Sequence, residues 1–210
     1  MSRFESSTFV RNAESMNKDV LITACNELGW SYKICNDAVL VTDIGIQQKF
    51  YGEYAIKVEN NKVTYNTYYL GNTKEYVDIL KDKYTKLNVE YSKKSVIEAF
   101  RSKGFTYKSV TGFVPTDEIP YKFIMVGRSV DKNESEPIGE VLFMILKDGT
   151  IISDSNYLPE DVNRRAHSAM DAIDSNFQSK RVMTKKEIPL KYRSKVKRHA
   201  SVSQTINTDK

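Results

Sequence analysis

The stretch Tyr54-Ala55-Ile56-Lys57-Val58-Glu59-Asn60-Asn61-Lys62-Val63-Thr64-Tyr65-Asn66-Thr67 decides the class of fold. Two short runs rich in β-branched and aromatic residues flank Asn60-Asn61, and asparagine tolerates the positive φ that a two-residue hairpin turn demands. Counting outward from the turn pairs Val58 with Val63, Ile56 with Tyr65 and Tyr54 with Thr67. One face of the predicted hairpin is then apolar and the other largely polar.

Helices are predicted on both sides of it. Upstream, Asn17 can cap a helix in which Val20, Leu21, Ala24, Cys25 and Leu28 form one stripe, with Gly29 as its stop. Ala38 to Thr42 reads as a short strand, whereas residues 1–16 are polar and carry no defensible period. Downstream of Gly71, Asn72 or Thr73 can cap a helix carrying Tyr76, Val77, Ile79, Leu80, Tyr84 and Leu87. A second helical pattern from Ser95 to Lys103 turns Val96, Ile97, Ala99 and Phe100 inward and stops at Gly104. Phe105 to Val110 and Lys122 to Val126 read as strands separated by a loop that holds Pro115 and Pro120.

The polar segment 131–137 reads as a linker. Beyond it Glu140 to Leu146 is apolar on both faces, which predicts a central strand covered on both sides, and Asp148-Gly149 is a strong hairpin turn leading into Thr150 to Ser153. Pro159 then opens a helix whose Val162, Ala166, Ala169, Met170, Ile173 and Phe177 share a face. The expected architecture is α+β, an antiparallel or mixed sheet covered by helices. It divides into an α+β domain (1–130), the linker (131–137), a hairpin–helix unit packing on that domain (138–179) and a basic flexible tail (180–210).

Length and composition agree with this. The 210 residues include 40% hydrophobic side chains, enough for a core without disulfides or metal. No apolar run is long enough to span a membrane, and Met1 to Ser7 has no signal-peptide stretch, so the expected location is cytoplasmic. Two cysteines, Cys25 and Cys35, suit a reducing compartment. The net charge is +5. It is unevenly spread: Lys180, Arg181, Lys185, Lys186, Lys191, Arg193, Lys195, Lys197 and Arg198 face one acid, Glu187, giving residues 180–199 a net +8. Asp209 and Lys210 cancel, so removing the tail's +8 from +5 leaves −3 on residues 1–179. Nine cations in twenty residues are suited to nucleic-acid phosphates, to an acidic protein or to solubility alone.

Catalytic material is sparse. Cys25 lies on a buried stripe, where a thiol is usually an inert small hydrophobe, and the two histidines, His167 and His199, make no close-spaced ligand pair with either cysteine. The nine glycines form no phosphate-binding loop. Asp117-Glu118 precedes a proline turn, and Glu160-Asp161 falls in a helix's first turn, where acids complement the helix dipole. Tyr51, Tyr54, Tyr65, Tyr68 and Tyr69 cluster around the first hairpin, but the pairing turns Tyr54 and Tyr65 to its apolar face, which reads as core rather than a base-stacking platform. No cofactor, metal or catalytic residue is expected.

The order of these features, from Met1-Ser2-Arg3-Phe4 through Leu28-Gly29-Trp30, the hairpin, the helix pair with Leu80 and Tyr84, and Gly104-Phe105, resembles the chloroplast hypothetical open reading frame thirty-five family. That family occurs in plastids, cyanobacteria, other bacteria and some phages, and the resemblance covers about residues 1–130. Val141 to Phe177 resembles a small hairpin–helix family whose genes often neighbour the first, with Asn156-Tyr157-Leu158-Pro159 in place of its glycine- and cysteine-bearing link. Those gene neighbourhoods commonly include an ATPase of the AAA type. The resemblance implies an adaptor that engages a larger protein machine; the basic tail, which matches neither family, gives nucleic-acid binding as the alternative. The location would be a stroma if plastid or a host cytoplasm if phage-encoded. Neither family supplies catalytic residues, and oligomeric state is not legible.

Overall fold

A computed structural model describes residues 4–9, 16–46, 53–67, 73–130, 138–155 and 158–177. It is an α+β fold of two antiparallel sheets and three helices. The first sheet orders its strands β1-β5-β4-β3-β2, with β1 at Phe4–Thr8, β2 at Ser31–Cys35, β3 at Ala38–Asp43, β4 at Ile56–Glu59 and β5 at Lys62–Asn66. Asn60 and Asn61 take φ of 46° and 60°, as a two-residue turn of this hand requires. Ile56 pairs with Tyr65 and Val58 with Val63, the register counted from the turn. The paired register ends there, although the Asn66 N–H still donates to the Ala55 carbonyl at 3.3 Å and the Ala55 N–H to the Val41 carbonyl of β3 at 2.9 Å, and Tyr54 precedes the strand.

Two strands come as additions to the reading. β2 forms a hairpin with β3 through Asn36, at φ 53°, and β1 closes the other edge against β5. Both are edge strands whose side chains are mostly exposed; β1 carries no apolar period and β2 only the two-residue alternation of Tyr32 and Ile34. Helix α1 (Lys18–Glu27) covers this sheet. Asn17 caps it, its Oδ1 accepting the N–H groups of Asp19 and Val20 at 3.0 and 3.2 Å, and Gly29 at φ 70° ends it.

Helix α2 (Thr73–Ser102) corrects the expectation of two helices. It runs unbroken for 30 residues, about 45 Å at 1.5 Å per residue. Nothing in Asn88 to Lys94 breaks a helix, since there is no glycine or proline. The sequence period faltered because the buried stripe turns. Val77, Leu80 and Tyr84 enter the first core, whereas Val89, Ser92, Val96 and Phe100 are buried on the second-core side. At 100° per residue the two stripes stand roughly 130° apart around the axis. One helix thus contributes to two cores.

The second sheet runs β6-β7-β8-β9, with β6 at Phe105–Ser109, β7 at Tyr121–Arg128, β8 at Ile138–Ile145 and β9 at Ile151–Ser155. Residues 131–137 lie outside the described residues. The strands on either side of them pair along eight residues, so the sheet is continuous across that segment. Helix α3 (Glu160–Phe177) packs with the C-terminal half of α2 on one face, around Phe100, Phe105, Phe123, Phe143 and Ile145. Val162 seats over paired Gly127 and Gly139, where added Cβ atoms would lie 2.9 and 2.7 Å from its Cγ1. The β8–β9 turn docks on α2: Asn88 Nδ2 donates to the Asp148 carbonyl at 3.0 Å and Ser92 Oγ to the Gly149 carbonyl at 2.8 Å. Among the described residues no helix is long and apolar enough to cross a membrane.

Candidate interaction surface

The nine basic residues expected to bind a partner, Lys180 to Arg198, lie outside the described residues, as do His199, Tyr51, Tyr68 and Tyr69. The chemically capable groups that are described stand apart. Cys25 is fully buried, and burial pushes its thiol up to about 11, away from the thiolate a nucleophile needs. Cys35 is exposed on β2 and His167 is exposed on α3. No group of three metal-ligating side chains converges among the described residues. Tyr65 is buried with the first core, as the hairpin count requires, and Tyr54 is half-buried.

One acid of each pair holds structure together. Glu118 forms an ion pair with Lys147, and the Lys147 N–H donates to the Glu118 carbonyl at 3.1 Å, pinning the β6–β7 loop to the end of β8. Asp161, in the first turn of α3, accepts the Ser129 hydroxyl at 2.8 Å, the Val130 N–H at 3.2 Å and Arg165 Nη2 at 3.2 Å. Burial alone would raise its carboxyl. The bonds from Ser129, Val130, Arg165 and the Val162 N–H outweigh that and hold it below its ordinary range. Arg165 also donates to the carbonyls of Lys103 and Arg128, so one i,i+4 pair joins α3, the end of β7 and the segment after α2. The Asp161-x-x-x-Arg165 spacing was the available signal for this clasp.

At the α2–β7 contact, Glu90 accepts the Tyr121 hydroxyl and Lys93 Nζ stands 3.7 Å from the centre of the Tyr121 ring. The bond to Glu90 pushes the Tyr121 phenol up to about 12. A shallow groove between the end of α1 and α2 is lined by Leu28, Glu75, Asp78, Ile79, Asp82 and Lys83.

The most distinctive surface is the face of the second sheet turned away from α2 and α3. Alternation along the strands puts Ile124, Val126, Ile138, Leu142, Met144 and Ile152 on it. This corrects the expectation that β8 is covered on both sides. The β8 residues facing the helices, Val141, Phe143 and Ile145, are buried. Leu142 and Met144 on the other face are only half-buried, Ile138 is 54% exposed and Ile152 of β9 39%. Solvent-facing positions of an antiparallel sheet are normally polar, so a contiguous apolar band there departs from the usual pattern. The apolar period on both faces of β8 was legible, but coverage depends on what the rest of the chain brings near, and both helices lie on one side. No family model, curated protein or solved structure matches the chain.

Proposed function

We propose that this chain is a non-catalytic interaction protein, an adaptor that engages a larger protein machine. The observation that carries the reading is the apolar outer face of the second sheet, which costs free energy in water and is repaid when covered. The basic tail supplies a second docking element for an acidic protein surface. The resemblance to the plastid family makes an ATPase of the AAA type the leading machine. The tail's nine cations favour nucleic acid as a rival partner, but a body carrying −3 opposes its close approach.

The test is affinity capture with the tagged full chain, the Leu142→Lys variant and a chain ending at Ser179, each with and without nuclease. The expected result is a protein partner that survives nuclease and is weakened by Leu142→Lys or by loss of the tail. Retention of only nucleic acid, with oligonucleotide affinity falling by about 0.7 to 0.9 in log K per log salt for each phosphate contact, would replace this reading with the rival.

A further inference from the structure

We infer that the outer face of the second sheet pairs with the same face of a second copy of this chain, about a two-fold axis parallel to the strands. The inference rests on the reading of that face as a docking surface and names its occupant. It comes from how charge is laid out around the apolar band. Register places Lys108 (β6), Ile124 (β7), Leu142 (β8) and Asp154 (β9) in one row across the sheet. The adjoining rows are Lys122, Met144 and Ile152 on one side and Thr106, Val126 and Glu140 on the other, with Arg128 beside Ile138 beyond. Cations therefore sit on β6 and β7, acids on β8 and β9, and the apolar side chains between them.

The central row of that arrangement is self-complementary for one symmetry operation. Two sheets stacked face to face keep their strands nearly aligned about 10 Å apart. A two-fold along the strands lays β6 of one copy over β9 of the other and β7 over β8. Lys108 then meets Asp154 of the second copy, and Ile124 packs on its Leu142, each contact occurring twice. A two-fold across the strands would put Lys108 over Lys108 and Asp154 over Asp154, which is repulsive. Asp154 has no cationic partner among the described residues. Lys108 is held by Glu140 at 3.0 Å, yet both are well exposed, so that pair is weak and free to be shared.

The size of the face sets the expected strength. Two strands of eight residues and two of five, about 4.8 Å apart at ~3.3 Å per residue, span roughly 400 Å² per copy. That is below the usual size of a stable interface, so the association expected is weak and rises only toward the top of the concentration range.

The experiment is sedimentation velocity on the full chain from about 1 to about 300 μM, with folding checked by circular dichroism. The mass should rise toward twice the chain's 24.1 kDa. Leu142→Lys should abolish the rise. Lys108→Asp alone and Asp154→Lys alone should each weaken self-association at least about tenfold, because each sets like charges opposite one another. Mixing those two variants should restore association to within about threefold of wild type, since the mixed pair is again complementary. A chain that stays monomeric at the highest concentration, a Leu142→Lys chain that associates like wild type, or a mixture no tighter than its components would each overturn the inference. A monomeric wild type whose captured partner is still lost on Leu142→Lys would remove the second copy and leave the docking reading standing. A monomer in which Leu142→Lys changes nothing would remove both.

Discussion

The backbone N–H of Asn17 donates to the phenol oxygen of Tyr84 at 2.8 Å, across 67 residues of chain. Asn17 caps α1 with its side chain, but its own N–H points out of the helix and needs an acceptor. A glutamate three residues on would normally reach back to supply one, and here that position is Val20. Tyr84, buried on α2 and packed edge-on against Phe9 at 5.1 Å, takes that role and fixes where α1 begins relative to α2.

Tyr84→Phe should therefore cost about 1–2 kcal/mol, since it keeps the ring packing and orphans a part-buried donor. Urea unfolding should show a lower midpoint at an unchanged slope. A midpoint equal to wild type would mean that water replaces the phenol at no cost. Burial holds the Tyr84 phenol above its ordinary 10.0, so folding favours the protonated form. Its contribution is complete below pH 10 and disappears as the pH rises through the folded value, and Tyr84→Phe should flatten that alkaline loss.

Gly149 tests the docking of the β8–β9 turn. It sits at φ 87°, and a Cβ there would stand 2.2 Å from Asn88 Nδ2, the atom that holds the turn to α2. Gly149→Ala should cost about 2 kcal/mol or more, from backbone strain plus the broken contact. Gly112→Ala is the control, at φ 74° with nothing within 4 Å of the added carbon, and should cost only about 1 kcal/mol. Equal losses would show that strain alone acts and that the turn can move off α2 freely.

Local signals account for the parts of this fold that were legible. The α1 cap, the Asn60-Asn61 register, the Asp148-Gly149 hairpin and the α3 stripe are each written within a few residues of where they act. What stayed hidden depends on distant chain. β1 gains its strand character from neighbours that supply hydrogen bonds, and β2 adds to that only the short alternation of Tyr32 and Ile34. The α2 stripe turns because Tyr84 and Val96 answer to different sheets. The Asp161–Arg165 spacing was visible, but its partners Ser129 and Val130 come from the end of β7. The outer-face residues were legible as apolar, and their exposure was not, because α2 and α3 both fall on the other side.

The clasp at Asp161 predicts acid sensitivity. Its folded carboxyl lies below the ordinary 3.8, so folding favours the ionised form. The contribution is complete above about pH 4 and is lost as the pH falls through the folded value. Asp161→Asn should be less stable than wild type at pH 7, and the gap should narrow on acidification below pH 4. A gap that stays constant from pH 7 to about pH 2 would show that the carboxylate's charge contributes nothing and only its shape matters.

Helix α2 predicts how the two cores unfold. Among the described residues it is the element with buried side chains in both, and Lys86 lies on its exposed side between Tyr84 of the first core and Val89 of the second. Lys86→Pro removes a helical hydrogen bond and clashes with the carbonyl of Asp82, costing about 3 kcal/mol or more at a point where no core side chain is altered. The Lys86–Asp82 ion pair at 2.8 Å is exposed and contributes little to that loss. In wild type the fluorescence of Trp30, the chain's one tryptophan and buried in the first core, should melt together with far-ultraviolet dichroism, which reports both sheets. In Lys86→Pro the two should separate, because the helix no longer transmits the loss of one core to the other. Lys86→Ala, which leaves the helix intact, should keep them coincident. Coincident transitions in Lys86→Pro would mean that the cores are coupled by contacts other than α2.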